Sequence, residues 1–335
     1  GRIPVKRLVR RHTSQIGLSS PRRLCYDKTE HHQKKKLKGC VMSFLSFLIN
    51  GISLGSVYAI IALGYTMVYG IAKMLNFAHG DVIMIGAYVI FTSMTGFNLN
   101  PILSIIIAMI VCTVLGILIE RVAYKPLRNA SSNLAVLITA IGVSYLLQNV
   151  ALLVFGADTK SFSSVVQLPP LVLAGGALTI QATTIVTILA NIVIMIALSL
   201  FVKKSKPGQA MQAVSEDRGA AELMGINVNG TIALTFAIGS ALAAIAGALL
   251  CSAYSNLTPY TGAMPGIKAF VAAVFGGIGS IPGAMVGGLL LGVIENLSRA
   301  YISSEIADAI VFAVLIVVLL VKPAGLFGKN VQEKV

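Results

Sequence analysis

Charge is what this sequence has least of. Asp, Glu, Lys and Arg make up 11% of its 335 residues, against about 25% in ordinary soluble domains. Hydrophobic residues reach 56%. A soluble fold so poor in charge would lack polar material for its surface, whereas a protein whose outside faces lipid needs little. Cysteine is scarce too. Cys25, Cys40, Cys112 and Cys251 form no CxxC pair and no Cys/His cluster at metal-ligand spacing, so neither a metal site nor a cofactor is implied. Catalytic signatures are missing: no GxxxxGK[ST] phosphate loop, no nucleophile elbow and no HExxH. The chain reads as a non-enzyme, and any ATP hydrolysis belongs on another subunit.

The formal net charge of +14 suggests nucleic acid until it is located. Residues 1–41 hold 12 Lys/Arg and 2 Asp/Glu, and the remaining 294 residues hold 14 and 10. The basic character belongs to the first segment, so nucleic-acid binding by the rest is excluded. Residues 1–41 are polar and lack the apolar stretch of a signal peptide. They read as a basic extension outside the fold, with Met42 as the native start. The alternative is an arm that touches anionic lipid.

Residues 42–335 read as an all-α integral membrane protein, a polytopic bundle of about eight or nine transmembrane helices with broken or re-entrant segments. A bilayer crossing needs about 20 mostly apolar residues. Such runs cover roughly 44–70, 77–95, 101–122, 134–155, 181–202, 230–252 and 306–321. The run 267–298 is long enough for two passes or one broken helix. The runs are continuous, without the alternation of a membrane barrel. Short loops rich in Lys/Arg stay on the cytoplasmic side. That places Arg121–Arg128, Lys203–Lys206 and Lys322–Lys334 inside, and 156–170 and 253–265 outside. Counting back puts residue 42 outside, the wrong side for a basic arm. Either the arm is not native or one of the first three spans is miscounted. Gly51/Gly55, Gly283/Gly287 and Gly288/Gly292 have the small-residue spacing that lets helix backbones approach.

Ionisable groups inside spans are costly and mark candidate sites. Here they are Lys73, His79, Asp81, Lys268 and the pair Glu295/Arg299. Lys73 and Arg299 can snorkel to the interface, and Glu295 and Arg299, one turn apart, can neutralise each other. The stretch 76–81 packs Asn76, His79, Gly80 and Asp81 between two apolar runs. It reads as a broken-helix turn lining a substrate path; the alternative is an ordinary polar helix–helix turn. Gly276, Gly277, Gly279, Pro282 and Gly283 interrupt the 267–298 run. Four glycines and a proline in eight residues cannot continue a regular helix, and a break at that depth suits a cavity.

The longest polar insertion, about 203–229, suits short amphipathic turns, with Gly225 placed to stop one. Glu216, Asp217 and Glu222 would offer charge to a soluble partner, and Ala220 and Ala221 small surfaces. The alternative is a solvated loop.

From Met42 onward the sequence resembles the LivH-type permeases of bacterial branched-chain amino acid ABC importers. The resemblance rests on 50–65, on Asn76-Phe77-Ala78-His79-Gly80-Asp81 and on Glu120-Arg121 with Tyr124-Lys125-Pro126-Leu127-Arg128. Ala220–Ile226, Gly276–Ala284 and Lys322–Gly328 add to it. Asn-Phe-Ala-His-Gly favours this type over the LivM type, which usually carries Leu-Ser-Leu-Gly-His. The resemblance implies a second, LivM-type permease subunit and two cytoplasmic ATP-binding subunits docking on 203–229. It also implies an extracytoplasmic binding protein for Leu, Ile or Val, and a place in the bacterial inner membrane. Urea and short-chain amide permeases share most of these motifs, so those substrates remain open. An ion-coupled secondary transporter is the alternative of another class; Asp81 and Glu295 would be its coupling carboxylates.

Overall fold

The computed structural model describes residues 21–128, 133–173 and 178–328, and the side chains of 41–128, 134–172 and 179–328. The chain divides into two compact units, residues 1–44 and 45–335. In the first unit only the helical backbone of 21–40 and the residues 41–44 are described, so the expectation about the basic extension falls largely outside the described residues.

Eleven α-helices run in order among the described residues: α1 (Pro21–Ala72), α2 (His79–Thr95), α3 (Pro101–Ile119), α4 (Asn133–Phe155), α5 (Ala182–Lys204), α6 (Lys206–Glu216), α7 (Arg218–Leu223), α8 (Val228–Tyr254), α9 (Ala263–Gly276), α10 (Ile281–Tyr301) and α11 (Ala307–Val321). Six helices are long and apolar enough to cross a membrane: Val41–Ala72, Pro101–Leu127, Leu134–Phe155, Ala182–Lys204, Val228–Tyr254 and Ile281–Tyr301. α2, α9 and α11 are shorter. Among the described residues, strands are confined to two small antiparallel pairs: β1 (Lys160–Ser161) with β4 (Asn256–Leu257), and β2 (Leu171–Leu173) with β3 (Leu178–Ile180).

The helix starts follow from sequence. Asn100, Ser205, Asn227 and Ser280 each accept a backbone N–H of the following helix's first turn, which satisfies an otherwise orphaned donor. Pro101 and Pro282 sit in first turns, where a missing N–H costs nothing.

α8 forms the centre. Seventeen of its 27 residues are buried, and it packs against α2 and α3. Small residues make the tightest seams. Gly51 and Gly55 of α1 lie against the α10 backbone at Gly288–Val293, where an added Cβ at Gly55 would come within 2.7 Å of Leu289. Two of the three glycine pairs read as close-approach motifs, Gly51/Gly55 and Gly288/Gly292, face each other there.

The basic loops gather at one end. Tyr124 donates to Asn76, Arg218 donates to the Ala72 carbonyl, and the Leu326 and Phe327 amides donate to Phe275 and Gly276. Phe47 sits at the other end, its ring 5.9 Å from Tyr301. Of the three spans expected first, those at α1 and α3 are long enough to cross and that at α2, with 17 residues, is not. The run 267–298 is two helices, α9 and α10, and the insertion 203–229 is two short helices, α6 and α7.

Candidate functional site

The first break begins where α1 stops. Lys73 takes a left-handed backbone (φ 53°), and residues 73–78 turn the chain back into the bundle. His79 packs on Tyr65, ring centroids 4.8 Å apart, and against Gly64. Gly64 lies eight residues, roughly 12 Å, before the end of α1. α2 thus starts inside the bundle. Its 17 residues and the 14 of α9 both fall short of a full crossing of ~20.

The starts of these two short helices meet. Gly80 and Gly262 approach so closely that a Cβ on either would collide with the other's carbonyl, and Gly266 lies against the Gly80 Cα. Two helix N-termini, each with partial positive charge, therefore converge in the interior. Asp81 occupies the first turn of α2 and accepts a 2.9 Å hydrogen bond from Gln148. Asn76 accepts one of 3.0 Å from Tyr124. Asn76, His79 and Asp81 are all at least 96% buried. The His79 Nε2 has no hydrogen-bond partner among the described residues. Tyr65, Phe77 and Phe270 form an aromatic shell beside it. The structure thus brings Asn76, His79, Gly80 and Asp81 together, closed in rather than open to water.

The second break differs. α9 ends at Gly276, Gly277 (φ 105°) and Gly279 (φ 92°) take conformations that other residues rarely adopt, and α10 restarts at Ile281. The Phe275 and Gly276 carbonyls freed by the break accept from Leu326 and Phe327, so the chain's own C-terminal segment satisfies them. A cavity of about 750 Å³ borders this turn, lined also by Thr66, Met67, Lys203 and Glu216.

Of the ionisable groups expected inside spans, Lys268, Glu295 and Arg299 form one cluster. Lys268 Nζ lies 2.8 Å from Glu295 and 2.6 Å from Asp308, Arg299 pairs with the same Glu295, and the Tyr58 hydroxyl donates to its other oxygen. Two cations and two carboxylates balance. The expected neutralisation of Glu295 by Arg299 is present, and Asp308, which the sequence reading left out, completes the set. The cluster ties α9, α10 and α11 together across the second break.

At the insertion, Asp217 caps α7 through the Ala220 amide. Gly225 (φ 80°) ends it, with Ile226 donating to Ala221 and Gly225 to Glu222, the pattern of a glycine-stopped helix. Glu216, Asp217, Ala220, Glu222 and Gly225 are exposed. Ala221, at 3% exposure, faces its own chain and is withdrawn from any docking face. The most exposed groups were not singled out from sequence: Leu223 at 91% and Met224 at 82%. Sequence reading also missed the buried pair Glu120–Arg128. A π-turn at Glu120–Tyr124 and a 3₁₀ turn at Lys125–Leu127 bring them together, a spacing no regular helix would suggest.

Residues 47–319 match the family described as the branched-chain amino acid transport system permease component. The chain is 49% identical over 306 residues to the high-affinity branched-chain amino acid transport system permease protein LivH of Salmonella typhimurium, covering 87% of this chain and 98% of that one. The LivH of Escherichia coli K12 is 48% identical with the same coverage. BraD of Pseudomonas aeruginosa is 44% identical, covering 88% and 99%. With a family match from 47 to 319, relatives aligned over nearly their whole length and, among the described residues, six helices long and apolar enough to cross a membrane, this multi-pass membrane protein belongs to the branched-chain amino acid transport permease family.

Proposed function

We propose that this chain carries branched-chain amino acids into the bacterial cytoplasm as one of two permease subunits in the inner membrane. A LivM-type subunit is the second, two ATP-binding subunits supply energy, and an extracytoplasmic binding protein delivers substrate. The relatives' names support the substrate class. The structural observation that carries the reading is the meeting of the α2 and α9 N-termini at Gly80 and Gly262. Converging N-terminal dipoles suit a carboxylate, Asp81 beside them suits an ammonium group, and the Tyr65, Phe77 and Phe270 rings suit an apolar side chain. In this reading Asn76, His79, Gly80 and Asp81 line the path, which is closed in the conformation described here, and Gly276–Gly283 is the seam next to it.

The α6–α7 segment takes the ATPase. Leu223 and Met224 form its apolar tip, and Glu216, Asp217 and Glu222 surround it with exposed charge worth only ~0–1 kcal/mol per pair. Residues 1–41 lie outside the permease domain, and a chain starting at Met42 is expected to transport normally.

The test is uptake by the full assembly in proteoliposomes. Leucine import that requires ATP, competed by isoleucine and valine but not by urea or acetamide, is the expected result. Uptake that persists without ATP and collapses with the proton gradient would overturn it in favour of an ion-coupled carrier. Cysteines placed at 76, 79 and 81 should react with small water-soluble thiol reagents at rates that change with nucleotide state. Inertness of all three in every state would leave the turn as packing.

A further inference from the structure

A second cavity, about 480 Å³, opens at the Lys/Arg-rich end between the close of α1, the 120–128 turn, α4 and the start of α7. Three cations line it: Lys73, Arg128 and Arg218. Their neutralisation is incomplete. Arg128 pairs with Glu120 and donates to Asn229, and Arg218 donates to the Ala72 carbonyl. Glu120 is the one carboxylate engaged with these three among the described residues, since Asp217 caps α7. The ion cluster of Lys268, by contrast, balances two against two.

The Arg128 side chain is 9% exposed, yet its buried Nε has no hydrogen-bond partner among the described residues. A guanidinium so enclosed normally fills its donor positions, because a buried unpaired donor costs ~1–3 kcal/mol. Burial lowers the pKa of Arg128, Glu120 opposes that, and the nearby Arg218 reinforces it. Two guanidinium groups are thus held close together without a full counter-charge. Their planar forks match phosphate geometry. The rest of the lining is Tyr69 and the apolar Ala72, Met74, Leu75, Leu127, Val136 and Leu137.

We propose that this cavity binds a phosphate group, and that its source is the headgroup of an anionic phospholipid in the leaflet at the basic end. Lys73, Arg128 and Arg218 take the phosphate oxygens, and the apolar wall takes the upper part of an acyl chain. Basic pockets between helices at the cytoplasmic face are suited to such headgroups. A free phosphate would use the cations but not the apolar wall. The bound lipid would bridge the end of α1, the 120–128 turn and the first residue of α7, so it also sets where the α6–α7 segment stands.

The test uses purified full-length protein and native mass spectrometry, titrating phosphatidylglycerol, phosphatidylcholine and inorganic phosphate. Phosphatidylglycerol should bind in preference to phosphatidylcholine, and millimolar phosphate should fail to displace it. The double variant Lys73→Gln, Arg218→Gln should weaken phosphatidylglycerol binding about tenfold or more. Arg121→Gln with Lys125→Gln, which removes two exposed charges from the same end outside the cavity, should change it far less. Arg128 is left intact because its loss would strand buried Glu120. Equal loss in both double variants would reduce the effect to general surface charge and overturn the site. Displacement by phosphate at similar concentration would overturn the lipid source. Unchanged binding in the cavity variant would overturn the proposal altogether.

Discussion

The helices are interrupted twice inside the bundle, at 73–78 and at 277–280, and the two interruptions are built from different material. Around the first, the bonds run through side chains: Tyr124 to Asn76, Gln148 to Asp81, and the His79 ring against Gly64 and Tyr65. Around the second they run through backbone: Leu326 and Phe327 amides to the Phe275 and Gly276 carbonyls, with Gly276 pressed against Gly283. Side-chain partners can be exchanged for a substrate at the cost of a hydrogen bond or two. A backbone seam without room for a Cβ cannot open without moving whole helices. The proposed function gives the first break, whose side chains surround the Gly80–Gly262 contact, the meeting with substrate, and gives the second the alignment of α9 with α10.

The comparison breaks most visibly at Gly276. A Cβ there would overlap the Gly283 carbonyl, which is backbone and cannot rotate away. Gly276→Val is expected to cost about 3 kcal/mol or more and to remove most folded protein. Membrane abundance and thermal unfolding in detergent would register it. A melting point like that of the parent protein would mean the seam is loose, and the contrast would fail.

Asp81→Asn should do the opposite. The amide keeps a hydrogen-bonding partner for Gln148, so stability should shift by less than about 1 kcal/mol. If the carboxylate meets the substrate's ammonium group, losing a charged hydrogen bond of ~1.5–3 kcal/mol means uptake falls about tenfold or more. Uptake and abundance measured on one membrane preparation separate the cases. Parallel loss of both would make Asp81 a packing residue, like the glycines of the second break.

Much of this was legible in the sequence because membrane burial writes it plainly. Apolar runs located the six helices long and apolar enough to cross, fewer than the eight or nine expected, the Lys/Arg loops indicated which ends share a side, and Gly225 marked the end of α7. What escaped depended on distant partners. Gly262 contacts Gly80 across 182 positions of chain, and nothing around Gly262 announces a helix start deep in the bundle. Asp308, inside the 306–321 run, went unnoticed until α11 placed it beside Lys268. Glu120 and Arg128 meet only because the helix there widens and then tightens. The exposure of Leu223 and Met224 escaped too, since amphipathic spacing says which residues share a face and not which face is covered.

The smallest expected effect sharpens the comparison at its least certain member, Asn76. Tyr124 is fully buried and its ring packs on Phe236 with centroids 5.2 Å apart. Tyr124→Phe therefore keeps the packing and removes one hydroxyl. The Asn76 oxygen is left buried without its donor, at a cost of ~1–3 kcal/mol. Asn76→Ala removes the other partner, and the double variant closes a cycle that isolates the bond. If the first break is chemical, Asn76 freed from Tyr124 should turn toward the path. The KM for leucine should then shift in Tyr124→Phe while its stability loss stays near 1 kcal/mol, the modest net worth of one hydrogen bond. If Asn76 only pins the turn, the cycle should show coupling in stability and none in KM. That second outcome would move Asn76 to the structural side of the contrast and leave His79 and Asp81 to carry the site.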